Sequence, residues 1–383
     1  MGKPISVAVI GAGVGGLTVA ATLRKFDIEV NVYEQAQQFM RLGAGIQMSP
    51  NAIKVLRSIG LEDQLRKLAF FPLFNYSRDW DTGKLTNEYP LGASAEQRYG
   101  APYLLLHRGD LHAAIASAVP ENIVHRNKKL TGFQQKDKQV TMQFADGSDA
   151  KADLMIGADG VHSLVRETLF GAEAPRYTGR VAYRTTFPTK LLNGLHIDPN
   201  TKWWGPDRHI VIYYVTSSLD ELYFTTSNPE PAMNEESWSA KGDLKTLREA
   251  FAGFDPQVRG VLEACPDVHK WALFERDPLP RWTVGRVTLL GDSCHPMTPY
   301  MAQGAATSME DAAVLARCLE YATADNLEAA LHNYEALRKD RTAEIQRSSH
   351  TNTWMQRRTD PDWVYGYDAW TVPVPPIVNR QAS

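Results

Sequence analysis

Ile5-Ser6-Val7-Ala8-Val9-Ile10 runs directly into Gly11-Ala12-Gly13-Val14-Gly15-Gly16, and this stretch decides the fold. The first six residues are apolar and partly β-branched, the pattern of a short buried strand. Residues 17–26 then carry apolar side chains at helical spacing, and residues 28–33 give a second strand pattern that ends at Glu34. Strand, glycine turn, helix, strand and acid together make a dinucleotide-binding βαβ unit. Gly11 allows the tight turn, Gly13 lets backbone approach a pyrophosphate, and Gly16 lets helix and strand pack closely. Glu34 stands where an acid can bind ribose hydroxyls.

Outward from that unit, the same grammar recurs far along the chain. Val287-Thr288-Leu289-Leu290 reads as a strand. It leads into Gly291-Asp292-Ser293-Cys294-His295-Pro296-Met297-Thr298-Pro299-Tyr300-Met301-Ala302-Gln303-Gly304, and an Ala/Leu-rich helix follows to residue 319. A carboxylate at a strand end, a stiff loop and a helix start form a place for an electron-rich or anionic group, because a helix start presents unpaired N–H groups and a partial positive charge. A second strand–carboxylate turn is Leu154-Met155-Ile156-Gly157-Ala158-Asp159-Gly160, with Arg166 on the helix after it.

Between these motifs lie smaller signals. Arg41-Leu42-Gly43-Ala44-Gly45-Ile46-Gln47 has small residues suited to a bulky planar group, and Asn51 is a candidate cap for a helix over 52–58. Residues 75–90 read as a hairpin around Asp81-Thr82-Gly83. Arg108 precedes a helix over 111–119, a position that suits a phosphate, and residues 130–147 read as a meander. From 181 to about 271 the chain is aromatic and β-branched with frequent turns, which predicts an inserted antiparallel sheet. A helix is predicted over 244–254. The tail from 326 is helical, then aromatic-rich at Trp354, Trp363, Tyr365 and Tyr367, where packing is the expected role.

The chain of 383 residues is 43% hydrophobic and 22% charged, with a formal net charge of -3. That charge gives no footprint for nucleic acid or anionic lipid, and no apolar run is long enough for a membrane span. Cys265, Cys294 and Cys318 have no metal-binding spacing, so no metal site is expected and reduced thiols are. With no secretory signal pattern at residues 1–4, the expected compartment is the cytoplasm.

Three motifs in this order, Gly11-x-Gly13-x-x-Gly16, Gly157-Ala158-Asp159-Gly160 with Arg166, and Gly291-Asp292 with Pro299-x-x-x-Gln303-Gly304, resemble those of the single-component, class A FAD-dependent aromatic hydroxylases. The resemblance covers nearly the whole chain. It implies the para-hydroxybenzoate hydroxylase fold: an α/β, Rossmann-like FAD-binding domain (1–74, 96–180, 275–325), an inserted antiparallel-sheet substrate domain (75–95, 181–274) and a helical, aromatic tail (326–383). It implies FAD as cofactor, with Glu34 on the ribose, Arg108 on the pyrophosphate, Asp292 on the ribityl chain, and the helix start at 299–304 against the flavin pyrimidine edge. Gly11, Gly13, Gly15, Gly16, Gln35, Arg41, Gln47, Leu130, Asp159, Gln303 and Gly304 complete the implied cofactor set, although Arg41 alone reads as a surface charge.

The implied reaction uses NADH or NADPH and O2, through a flavin C4a-hydroperoxide, to hydroxylate a hydroxylated aromatic or pyridine carboxylic acid such as 6-hydroxynicotinate. Decarboxylation follows if the attacked carbon bears the carboxylate. Subgroup likeness rests on Tyr76-Ser77-Arg78-Asp79, on residues 107–112, on Lys202-Trp203-Trp204 with Asp207-Arg208-His209 and Tyr213-Tyr214, and on the terminal Asn352-Thr353-Trp354 with Trp363 and Tyr365-Gly366-Tyr367-Asp368. Tyr213, His209 and Gln47 are the catalytic candidates. Tyr300, Pro299, Met301 and Asn200 are the pocket candidates. His209 and Tyr213 share a strand face, which also describes a packed core. The hydroxypyridine-type members carry His, His and Cys where this chain has Gln47, Tyr300 and Asn200; Gln47 and Tyr300 instead resemble hydroxylases of salicylate and 3-hydroxybenzoate. Base catalysis is thereby left to Tyr213, to water or to the substrate's own ionisation. His295 reads as structural. The partners expected are small molecules alone, with no nucleic acid or membrane, for a monomer or homodimer. A non-catalytic flavin sensor and a ubiquinone-type hydroxylase are the contrasting classes.

Overall fold

The computed structural model describes residues 5–41, 44–231 and 240–377. Residues 1–4, Leu42, Gly43 and the end of the tail at 378–383, on which parts of the sequence reading fall, lie outside the described residues.

The central sheet runs in the order Thr283–Val284, Val287–Leu289, Leu154–Gly157, Ser6–Ile10, Glu29–Tyr33, Val124–His125. Its pairings are parallel apart from the edge hairpin between the first two strands. The middle strands are covered on both faces, which is why they read as nearly unbroken apolar runs; Val7, Ala8, Val9 and Ile10 are all buried. This strand order sets the carboxyl ends of Ser6–Ile10, Leu154–Gly157 and Val287–Leu289 side by side. The three motifs therefore leave the sheet at one edge, where open parallel sheets bind ligands. Gly11 has φ 101°, and a Cβ there would fall 2.4 Å from the Ala158 carbonyl oxygen; one on Gly16 would fall 1.9 Å from the Gly11 carbonyl oxygen. A side chain at either position has nowhere to go.

A second sheet has eight strands, in the order Ala240–Lys241, His269–Glu275, Arg176–Pro188, Glu221–Pro229, His209–Tyr214, Thr201–Trp204, Phe74–Asp79, Leu85–Pro90. It is antiparallel with one exception, since Thr201–Trp204 pairs in parallel with Phe74–Asp79. Those two strands come from distant segments, so no tight turn dictates their relative direction. Period-two alternation sorts the faces. Trp203, Ile210, Ile212 and Phe224 pack against Phe251, Val258 and Leu262 in an apolar core, whereas Lys202, His209, Val211 and Tyr213 line a cavity on the opposite side.

Two predicted helices differ in detail. The one expected over 244–254 is Leu244–Ala250, and Pro256 instead opens a further helix, Pro256–Ala264, capped by Asp255. Proline's fixed φ suits a first helical position. For the same reason Pro50 starts the helix Pro50–Ser58 with Ser49 at its cap, and Asn51 is not the cap. Asn51 is buried and donates to Gln303 Oε1 (3.0 Å) and Glu310 Oε1 (2.7 Å).

The tail helix Leu327–His350 crosses the helix Gly304–Leu319. Arg338, fully buried, pairs with Glu310 and Asp311 at 2.7 Å each. Beyond this helix the chain folds back, where the Arg341 guanidinium holds the Trp363 carbonyl at 2.7 Å. Among the described residues no helix is long and apolar enough to cross a membrane.

Candidate active site

A cavity of about 350 Å³ lies between the carboxyl edge of the parallel sheet and the inner face of the large sheet. Its two sides are built differently. One side is backbone: Gly13, Gly15, Ala158, Gly160, Gly291 and Gly304 line it. A Cβ on Gly13 or Gly160 would meet nothing within 4 Å. The helices Val14–Arg24 and Gly304–Leu319 both start at this wall without a side-chain cap, so their first N–H groups are left for a ligand. Arg108 and Asp292 flank the same region.

The backbone side is fixed from behind. Arg166 donates to the carbonyls of Ser293 (3.1 Å) and Val161 (2.7 Å), tying the two carboxylate turns together. Asp311 accepts from His295 Nε2 at 2.5 Å and from Gly291 N at 3.2 Å. His295 is thus a structural group, as its sequence context predicted. Cys294, His295 and Asp311 approach one another closely. Asp311 is, however, already paired with Arg338, and the Cys294 thiol donates to the Gly291 carbonyl at 3.3 Å. Burial pushes that thiol's pKa well up, so it stays protonated.

The other side is made of side chains. His209 lies between the rings of Trp204 (5.0 Å between centroids) and Tyr300 (5.7 Å). The Tyr300 hydroxyl meets Ser227 Oγ at 2.9 Å. Burial, Lys202 and Arg180 hold the His209 pKa well below the usual imidazole range, so the ring is neutral near pH 7. Tyr213 packs on Tyr223 at 5.0 Å, and burial raises its phenol well above the ordinary value. Tyr103 donates to Gln47 Oε1 at 2.5 Å, which leaves the Gln47 amide N–H groups for its contact with Tyr213. The Tyr213 proton is then free to point into the cavity. Arg184 stacks over Trp271 at 4.6 Å.

Of the residues predicted from sequence, the cavity brings together Gly13, Gly15, Gln47, Arg108, Asn200, His209, Tyr213, Asp292, Pro299, Tyr300, Met301 and Gly304. Gly11 and Gly16 shape the turn behind it. The Glu34 carboxylate accepts from Ala12 N and Ala36 N, both at 2.7 Å, at the end of its strand. Gln35 is outside the cavity lining, Leu130 is buried in the large core, and Asp159 accepts from Ser163 Oγ and Val165 N. Gln303 turns to Ser49 and Asn51. Arg41 is half-exposed and pairs with Asp110 and Glu221 at 2.7 Å each, away from the cavity. The sequence reading passed over Lys202, Arg184, Tyr103, Tyr223 and Trp271 as site residues, and gave Trp354 and Tyr365 only a packing role. Lys202 carried a usable signal, a cation inside an otherwise apolar strand. The tail aromatics carried only a subgroup likeness.

The family described as FAD binding domain matches residues 4–228 and 262–349. Two proteins named 6-hydroxynicotinate 3-monooxygenase are similar over their whole length. The one from Bordetella bronchiseptica is 48% identical, covering 100% of this chain and 99% of its own. The one from Pseudomonas fluorescens is 46% identical, covering 100% of both. A solved salicylate hydroxylase substrate complex matches with a TM-score of 0.82 at 25% identity, covering 96% of each chain. The chain belongs to the FAD binding domain family.

Proposed function

We propose that this family member is an FAD- and NAD(P)H-dependent monooxygenase that hydroxylates a hydroxylated aromatic or pyridine carboxylic acid. 6-Hydroxynicotinate is the first candidate, with loss of its carboxylate. One observation carries the reading: a single cavity has bare glycines and uncapped helix starts on one side, and Lys202, His209, Tyr213 and Tyr300 on the other. Full-length likeness to two 6-hydroxynicotinate 3-monooxygenases supports the substrate class.

The residues fit a flavin dinucleotide, because the open space beside Gly13 and Gly160 admits a flat group against backbone. Gly13, Gly15 and Arg108 would hold the pyrophosphate, Glu34 the ribose, Asp292 the ribityl chain, and the helix start at Gly304 the pyrimidine edge. When bound, FAD supplies the electron transfer that activates dioxygen.

The chain's own residues prepare the acceptor ring. Tyr213, protonated and backed by Gln47, donates a hydrogen bond to the oxygen of the substrate's ring hydroxyl. Gln47 takes up no proton, and His209 is neutral and held by its aromatic neighbours. Ionisation of the ring hydroxyl is then left to water or to the substrate itself. Asp292 is the one acid among the described lining residues, while Lys202, Arg108 and Arg184 are cations. That balance favours an electron-rich anion. Trp354, Met355 and Tyr365 from the tail cover the cavity and exclude water.

The test is NADH and NADPH oxidation and oxygen uptake by the FAD-loaded enzyme with 6-hydroxynicotinate, salicylate, 3-hydroxybenzoate and 4-hydroxybenzoate, with product and CO2 identified. Coupled turnover of 6-hydroxynicotinate with CO2 release is expected. If no aromatic acid accelerates flavin reduction or oxygen uptake, the enzyme reading fails and a flavin sensor takes its place. Gln47 and Tyr300 favour a second reading, in which salicylate or 3-hydroxybenzoate is the better substrate of the panel.

A further inference from the structure

We infer that Lys202 anchors the substrate's carboxylate on the sheet side of the cavity. The inference rests on the aromatic-acid reading above and adds which residue recognises the acid group.

Lys202 lies within the strand Thr201–Trp204, between His209–Tyr214 and Phe74–Asp79, and only 8% of it is exposed. Its strand neighbours Thr201 and Trp203 are fully buried, and Trp203 joins the apolar core, whereas Lys202 lines the cavity. Lysine is almost never fully buried unless it is paired. Here no carboxylate among the described residues lies within ion-pair distance. The ammonium instead sits 3.7 Å from the centroid of the Trp204 ring. A cation held against a π face, and open to the cavity on its other side, is arranged to receive an anion.

The surrounding groups leave that role vacant. His209 and Tyr213 face the cavity from the neighbouring strand, Arg184 from the long strand and Tyr300 from the opposite loop, with Arg180 acting on His209. The hairpin strand contributes Asn75, the turn before Lys202 contributes Asn200, and the tail contributes Trp354 and Met355. None of these is an acid. Asp292 belongs to the backbone side. Arg184 is stacked on Trp271, with Arg108 and Tyr223 among its neighbours.

Register adds a length. Lys202 is paired with Val211, two residues before Tyr213 on the adjacent strand. Two residues along and one strand across separates the two Cα atoms by about 8 Å. A ring lying across these two side chains presents its carboxylate to Lys202 and a hydroxyl on its far side to Tyr213, as 6-hydroxynicotinate would. The desolvated ammonium is held down to about 7. A bound carboxylate restores its charge, so above pH 7 the acid binds together with a proton.

The test is titration of flavin absorbance in the FAD-loaded enzyme with 6-hydroxynicotinate and 3-hydroxybenzoate, and with the corresponding carboxamides as uncharged controls. Lys202→Met is expected to weaken the acids by about tenfold or more and the carboxamides by less than about twofold, with Lys202→Arg recovering most of the loss. In the wild-type enzyme, acid affinity is expected to fall by up to about tenfold per pH unit above 7, with proton uptake seen by calorimetry in two buffers, and carboxamide affinity is expected to stay level. The wild-type measurement stands even if a variant fails to fold. Equal weakening of acid and carboxamide, or acid binding untouched in Lys202→Met, overturns the role of Lys202 while leaving the hydroxylase reading intact. Wild-type enzyme that binds none of these acids overturns both.

Discussion

The two sides of the cavity are unlike in construction. The cofactor side is made of backbone, with glycines, helix starts and carbonyls that have almost no freedom to be elsewhere. The sheet side is made of side chains, whose identity can change while the strands keep their places. Backbone recognition tolerates almost no substitution, because it relies on the absence of atoms. Side-chain recognition is adjustable. Gln47, Tyr300 and Asn200, where the resemblance implies other residues in hydroxypyridine-type members, all line the cavity from side chains. Substrate choice can therefore move without disturbing the flavin site.

The sharpest way to break that comparison is at the glycines themselves. Gly16→Val forces a Cβ to 1.9 Å from the Gly11 carbonyl oxygen, so flavin retention and soluble yield should both be lost. Gly13→Ala has clear space within the protein, so thermal stability of the flavin-free chain should hold within about 0.5 kcal/mol. Flavin affinity should nevertheless fall about tenfold or more, since the added methyl occupies the ligand's room. A Gly13→Ala enzyme that retains full flavin content would show that backbone contact there is dispensable.

Behind the backbone side, Arg338→Met leaves Glu310 and Asp311 without their shared fully buried partner. It should cost about 3–5 kcal/mol in urea unfolding. A cost under about 1 kcal/mol would mean that Arg341 and His295 suffice.

On the sheet side, Tyr213→Phe should lower coupled hydroxylation about 10²-fold, the lower range for a positioned proton donor, while flavin content stays normal. Unchanged coupling, read as product formed per NAD(P)H consumed, would remove Tyr213 from the chemistry.

The smallest effect concerns His209. Its imidazole is held neutral in the fold by burial and by Lys202 and Arg180. The unfolded chain protonates that residue as pH falls below about 6.5. The unfolded state then binds more protons, so stability declines toward acid by up to about 1.4 kcal/mol per unit. His209→Gln should flatten part of that slope between pH 6.5 and 5; His107 and His350, also depressed by burial, retain the remainder. An identical slope in the variant would show that His209 is already charged in the fold.

How much was legible follows the same division. The glycine spacing, the strand before it and the acid after it lie within about thirty residues, so local constraint alone spelled out the nucleotide fold. The helix start at 50 was placed two residues late and the helix from 256 was not read at all, although proline's fixed φ suits the first position of both. Arg41, a cofactor contact by likeness, pairs here with Asp110 and Glu221 across the surface. Neither partner is near it in sequence. Lys202 was visible as a cation at an apolar position, but its meaning required knowing that no carboxylate faces it.

By itself the sequence determined the parallel sheet, the glycine turns at its carboxyl edge and the alternation that gives the second sheet two faces. These depend on φ, on the missing Cβ and on the period of a strand, all of which are local. The tertiary structure alone decided that Trp354 and Tyr365 return across the cavity from the end of the chain, and that Tyr103 orients Gln47 toward Tyr213. It also decided that Lys202 is left with an aromatic face and, among the described residues, no carboxylate within ion-pair distance. Such contacts join residues tens to hundreds of positions apart, and their energies come from burial and partner geometry, which no local window of sequence contains.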